Sequence, residues 1–274
     1  MRTTLLVHGA WHGSWCWTPV TAHLAAYGIP SVTFDLPGHG LSSKAPAARW
    51  ARPFDKARFA IERSPAADIT VPVAAEALID HLRLIGTGTP CVVVAHSLGG
   101  VIATAAAEMA PDLFAHLVYV SAYVPITASV AELFASPQSA GELISALLIA
   151  DPAAIGALRH DPVDPAGRSA VREALYADVD PTTADAAIAM LSTDSPLSYS
   201  TEKPGVTEGG FGAVPHSYII CTNDRAIPEP LQRRFVRDID AVSSTPTRVV
   251  TLDASHSPFL SQPRAVAEAV AAVW

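Results

Sequence analysis

Residues 91–95, Cys-Val-Val-Val-Ala, are apolar at every position and are followed at once by His-Ser-Leu-Gly-Gly. A short run with no polar alternation reads as a strand buried on both faces, the situation of a parallel sheet covered by helices above and below. The rest of the chain repeats the theme. Short β-branched runs at 3–7, 31–35, 117–125, 217–222 and 248–253 alternate with stretches of helical period at 18–27, 73–85, 101–110, 228–238 and 263–274. This alternation predicts an α/β fold built on a mostly parallel, doubly wound sheet.

From 126 to 213 the pattern changes to alanine-rich helical pieces, "ELISALLIA" and "DPTTADAAIAML", with nothing like a central strand. The expectation is a helical cap, residues 126–213, inserted into a core made of 1–125 and 214–274. A second excursion, 41–69, carries Lys44, Arg49, Arg52, Lys56, Arg58 and Arg63 between prolines and reads as a solvated face.

The net charge of −8 argues against nucleic-acid or anionic-membrane partners, which call for basic surfaces, so the expected partner is a small molecule. Three scattered cysteines, Cys16, Cys91 and Cys221, suit neither a disulfide framework nor a zinc site. No metal is expected. The opening residues lack a leader-type apolar segment, and His96, Ser97, Gly99, Gly100 and Glu108 interrupt the apolar stretch 91–110. Cytoplasmic residence follows as an expectation. The last helical pattern reaches Trp274 with no capping residue, which predicts a chain trimmed at that point.

A serine directly after a buried strand and directly before a helix sits on a tight turn at the carboxyl edge of the sheet, where ligands of open α/β sheets bind. Ser97 is so placed, in Ala95-His96-Ser97-Leu98-Gly99, a Gly-x-Ser-x-Gly pattern whose first glycine is alanine. Serine is a poor nucleophile unless a positioned base takes its proton and an acid holds that base. Asp224 and His256 each follow a predicted strand and project onto the same edge; Asp253 lies too close to His256 in sequence to reach its ring, and Asp238 falls late in a helix. The N–H of Leu98 and that of Ala10, in "LLVHGAWHG", are the expected oxyanion donors. His8, His39 and His96 read as loop-shaping or packing groups, and Trp15 and Trp17 as core or pocket wall.

The segments "LLVHGAWHGSWCW", "DLPGHG", "VVVAHSLGG", "YIICTNDRAIPEPLQ" and "DASHSPFLSQP" resemble the α/β-hydrolase superfamily. More narrowly they are similar to its esterase and hydroxynitrile lyase branch, which includes plant methyl-salicylate and methyl-jasmonate esterases and bacterial relatives. The resemblance implies an α/β-hydrolase fold with Ser97 as nucleophile, His256 as base, Asp224 as acid, and Ala10 with Leu98 as oxyanion donors. Trp11, His12 and Tyr123 are the expected substrate-binding residues. It implies a serine esterase that needs no cofactor and cleaves a small or medium apolar ester, methyl esters included, through an acyl-enzyme. Three other readings use the same site: cyanohydrin cleavage, lactone opening or demethylation in a biosynthetic pathway, and a ligand receptor of low turnover. The lyases of the branch carry threonine where this chain has Gly9 and lysine where it has Ser257, which favours the esterase.

Overall fold

Among the described residues eight strands form in chain order: β1 Thr4–Val7, β2 Ser31–Phe34, β3 Cys91–Ser97, β4 Phe114–Ala122, β5 Ala157–Arg159, β6 Asp194–Pro196, β7 His216–Cys221 and β8 Arg248–Leu252. The computed structural model describes residues 2–274. Six strands make one sheet in the order β2-β1-β3-β4-β7-β8, with every neighbouring pair parallel. From β1 the chain steps outward to β2 and then crosses back to β3 on the other side. The strand order therefore reverses between β1 and β3, and a crevice opens where the two strands end.

The apolar run of β3 divides between two cores, Val93 and Ala95 facing one and Val92 and Val94 the other, all without solvent exposure. On the first face lie the helices Val71–Gly86, Gly99–Met109 and Glu229–Asp240, which contribute Leu78, Val101 and Phe235. On the second lie Thr18–Ala26 and Pro263–Ala271, with Leu24 and Val266 packed around Trp17 and Phe259. Full burial of one such side chain contributes about 1.5–3 kcal/mol, which is why no polar residue interrupts the middle of β3.

β4 begins three residues earlier and ends three residues earlier than its apolar pattern predicts. Phe114 and His116 extend the ladder beside Cys91 and Val92, whereas the Tyr123 N–H turns back to the Ser97 carbonyl at 3.1 Å, taking Tyr123 out of the sheet.

Between β4 and β7 the chain is not wholly helical, because β5 and β6 pair antiparallel. The pair is tied down by Arg159, fully buried, which grips Asp194 with two hydrogen bonds of 2.7 and 2.6 Å and donates to the carbonyls of Phe59 and Glu62. The basic excursion thus packs its backbone against this region instead of standing free: the Ser64 N–H donates to the Ile155 carbonyl at 2.8 Å. Three of its six cations have partners, Arg63 on Asp68 at 2.6 Å, Lys56 on Asp164 at 3.6 Å and Arg49 over the Trp50 ring.

Candidate active site

Ser97 is the last residue of β3 and has a left-handed backbone, φ 51°. That turn lets the helix Gly99–Met109 start at once, and it is possible because neighbouring backbone comes very close. A Cβ on Gly99 would lie 2.3 Å from the His8 carbonyl oxygen, and one on Gly9 would lie 2.5 Å from the Ser97 Cβ. The absent side chains allow the loops after β1 and β3 to touch. Alanine suffices at position 95, which lies within the strand and points into the core.

The three residues expected to cooperate meet here. Ser97 Oγ is 3.1 Å from His256 Nε2, and His256 Nδ1 is 2.8 Å from Asp224 Oδ2. They come from the ends of β3, β8 and β7, and none is more than 7% exposed. Asp224 Oδ1 accepts the backbone N–H groups of Ala226 and Ile227 at 2.7 and 2.8 Å. The competing carboxylates lie elsewhere: Asp253 takes the amide of Asn223, and Asp238 takes the Thr127 hydroxyl.

Three imidazoles pack together at this point, the His96 ring 4.5 Å from His256 and 5.8 Å from His12. His256 alone among them rests on a carboxylate. Burial drives the other two toward the neutral form, His12 to about 3 and His96 well below the usual imidazole range, with the His256 charge adding to the effect. His96 Nε2 donates to the His256 carbonyl at 2.9 Å and so fixes the loop that carries His256. His8 and His39 shape loops, as their glycine-rich settings suggest; His8 accepts the Leu36 N–H at 3.0 Å and His39 reaches the Ser195 hydroxyl at 3.1 Å.

Above Ser97 is a small cavity of ≈ 20 Å³, room for about one water. Ala10, Leu98, Trp11, His12 and Tyr123 all border it, and Val130, Phe134, Ile144, Leu158 and Leu175 complete an apolar wall. Among the described residues the N–H groups of Ala10 and Leu98 donate no backbone or side-chain hydrogen bond. No lysine or arginine borders the cavity. His12 has both ring nitrogens engaged, Nδ1 with the Ala10 carbonyl at 2.8 Å and Nε2 with the Tyr176 hydroxyl at 2.7 Å.

Sequence reasoning missed two supports of Asp224. Ser121, buried with φ 40°, donates its hydroxyl to Asp224 Oδ2. Its signal was available, since it is the one polar residue in the run Leu117–Val124. Gln232, also buried, spans the turn after β7, bonding the Cys221 N–H and the Cys221 and Ile227 carbonyls. Nothing in its helical surroundings distinguishes it from an exposed glutamine.

Comparison with known proteins agrees with the fold. The alpha/beta hydrolase family model matches residues 4–269. The chain belongs to the alpha/beta hydrolase family. This hydrolase is 28% identical over 272 residues to methylesterase 9 of Arabidopsis thaliana, covering 96% of this chain and 94% of that protein. It is 27% identical over 273 residues to a pyrethroid hydrolase of Sphingobium wenxiniae, covering 97% and 85%. The crystal structure of a pyrethroid hydrolase from Sphingobium faniae has the same fold, with a TM-score of 0.75 at 24% identity and coverage of 99% and 96%.

Proposed function

We propose that this hydrolase cleaves carboxylic esters with an apolar acyl group, methyl esters among them, through an acyl-enzyme on Ser97. The observation that carries the reading is the unbroken chain from Ser97 Oγ through His256 to Asp224 at the floor of an apolar cavity. His256 Nε2 takes the Ser97 proton as Oγ attacks the ester carbonyl. The N–H groups of Ala10 and Leu98, with no competing partner, receive the negative charge that develops on the carbonyl oxygen. His256, now charged and held by Asp224, returns its proton to the departing alcohol, and water repeats the cycle to release the acid. The cavity is lined almost wholly by apolar side chains, which keep bulk water away from the reacting groups. The absence of a cation on that wall favours a neutral acyl group over an acidic one.

The methylesterase names among its relatives support ester hydrolysis. Cyanohydrin cleavage fits less well. A threonine side chain at position 9 has no room against Ser97, and Ser257, fully buried with an unpartnered hydroxyl, offers no ammonium for a leaving cyanide. The test is a panel of methyl and p-nitrophenyl esters of graded acyl size, run beside Ser97→Ala and a mandelonitrile assay. Turnover of apolar esters should drop by several powers of ten in the variant. Full activity in Ser97→Ala, or cyanide release without ester cleavage, would sink the proposal.

A further inference from the structure

Trp11 has φ 62°, a left-handed conformation that a bulky side chain avoids. Such strain persists only where the surroundings impose it, and here the surroundings are the segment around β5 and β6. The Trp11 indole N–H donates to the Leu158 carbonyl of β5 at 2.9 Å, and the Trp11 carbonyl accepts the Ser192 N–H at 2.7 Å. His160 packs its ring 4.7 Å from the indole and bonds the Ser192 carbonyl at 2.9 Å.

Next to this strained residue, the Ala10 carbonyl receives the His12 N–H and the His12 ring, each at 2.8 Å. A carbonyl only accepts, so Nδ1 carries the proton; in the neutral ring Nε2 is then bare and must be the acceptor of the Tyr176 hydroxyl. The partner hydroxyl comes from the end of the helix Pro165–Leu175, far along the chain and fully buried. His12 is thus a strut with both ends occupied, and not a free group awaiting a ligand.

We propose that Tyr176 is a positioning residue: through His12 it holds the Ala10 carbonyl, and so the Ala10–Trp11 peptide, in place, with Trp11 strained, so that the loop cannot turn the neighbouring Ala10 N–H away from the oxygen of the reacting ester. The oxyanion side of the site is on this view assembled by the chain between β4 and β7, not by the sheet alone. The inference rests on the reading of Ser97 and Ala10 given above. Without the Tyr176 hydroxyl the His12 tautomer is no longer fixed. The alternative tautomer turns a lone pair toward the Ala10 carbonyl, and the loop relaxes.

The test is Tyr176→Phe, which removes one oxygen and keeps the ring. Because oxyanion hydrogen bonds strengthen in the transition state, kcat should fall about tenfold or more while KM stays within about twofold. Affinity for a trifluoromethyl ketone, which adds to Ser97 and places an oxyanion in the same spot, should fall by the same factor as kcat/KM. A purely structural role would lower the melting temperature without that match. Should Tyr176→Phe fail to fold, His12→Leu and His12→Gln decide: the glutamine can donate to Ala10 and accept from Tyr176, so it should recover most of the activity that leucine loses. Wild-type kcat and inhibitor affinity in Tyr176→Phe, or equal activity in the two His12 variants, overturns the proposal and leaves the esterase standing. A wild-type protein that neither turns over p-nitrophenyl butyrate nor takes a fluorophosphonate label on Ser97 overturns both.

Discussion

Lowering the pH from 7 to 5 should unfold this protein, and the reason is its buried histidines. His8, His12, His39, His96 and His160 are each at most 2% exposed. Burial, the largest cause at every one of them, depresses the imidazole: His8 and His12 to about 3, His39 and His160 to about 4, and His96 well below 6.5. These bases stay neutral in the fold, whereas in the unfolded chain they take up protons once the pH drops below about 6.5. The unfolded state then binds more protons, so stability falls as pH falls, from about 6.5 down to the folded values. At pH 5 His8, His12, His39 and His160 each favour unfolding by about 2 kcal/mol, about 8 kcal/mol together, and His96 acts in the same direction, which is comparable to the whole stability of an ordinary domain. Urea unfolding followed by circular dichroism at pH 7.5, 6.5, 6.0 and 5.5 measures this directly. The slope of the unfolding constant against pH near 5.5 should report uptake of about five to six protons, because His116 and His216, depressed to about 4 and about 3, add to the rings named above. A midpoint that stays level between pH 7 and 5.5, or a slope under about two protons, would mean that these rings are hydrated or charged in the fold.

Two substitutions test other parts of the framework. Asp224→Asn keeps the shape but can donate to His256 Nδ1, stabilising the tautomer that cannot accept the Ser97 proton; kcat should fall about 10⁴-fold with the fold intact by near-ultraviolet dichroism. Asp194→Leu leaves the Arg159 guanidinium buried without its anion and should cost about 3–5 kcal/mol in urea unfolding, part of which returns in the double variant Arg159→Met/Asp194→Leu.

Residues read straight off the sequence include those whose role is set by local pattern. The β3 run had to be buried on both faces, and the small residues after it had to form a tight turn, because no other local structure accommodates Val92–Ala95 followed by His-Ser-Leu-Gly-Gly. The same logic places Asp224 and His256, each just beyond a strand that the parallel order aims at one edge. The basic excursion keeps its cations at the surface, as expected, but its anchor, Arg159, lies about a hundred residues away and leaves no mark in the local pattern. Only the fold shows that its backbone packs against the β5–β6 region.

The chain by itself thus determined the sheet, the turn and the identity of the residues at its rim, since each follows from periodicity and from backbone sterics within a few neighbours. The tertiary structure alone decided how far apart those residues stand and what holds them. That Ser121 meets Asp224, that Tyr176 meets His12 and that Trp11 is forced left-handed are contacts between segments 100 or more residues apart, or consequences of them. Hydrogen bonds of that kind depend on ångström placement, and no local pattern of apolar and polar residues encodes a distance.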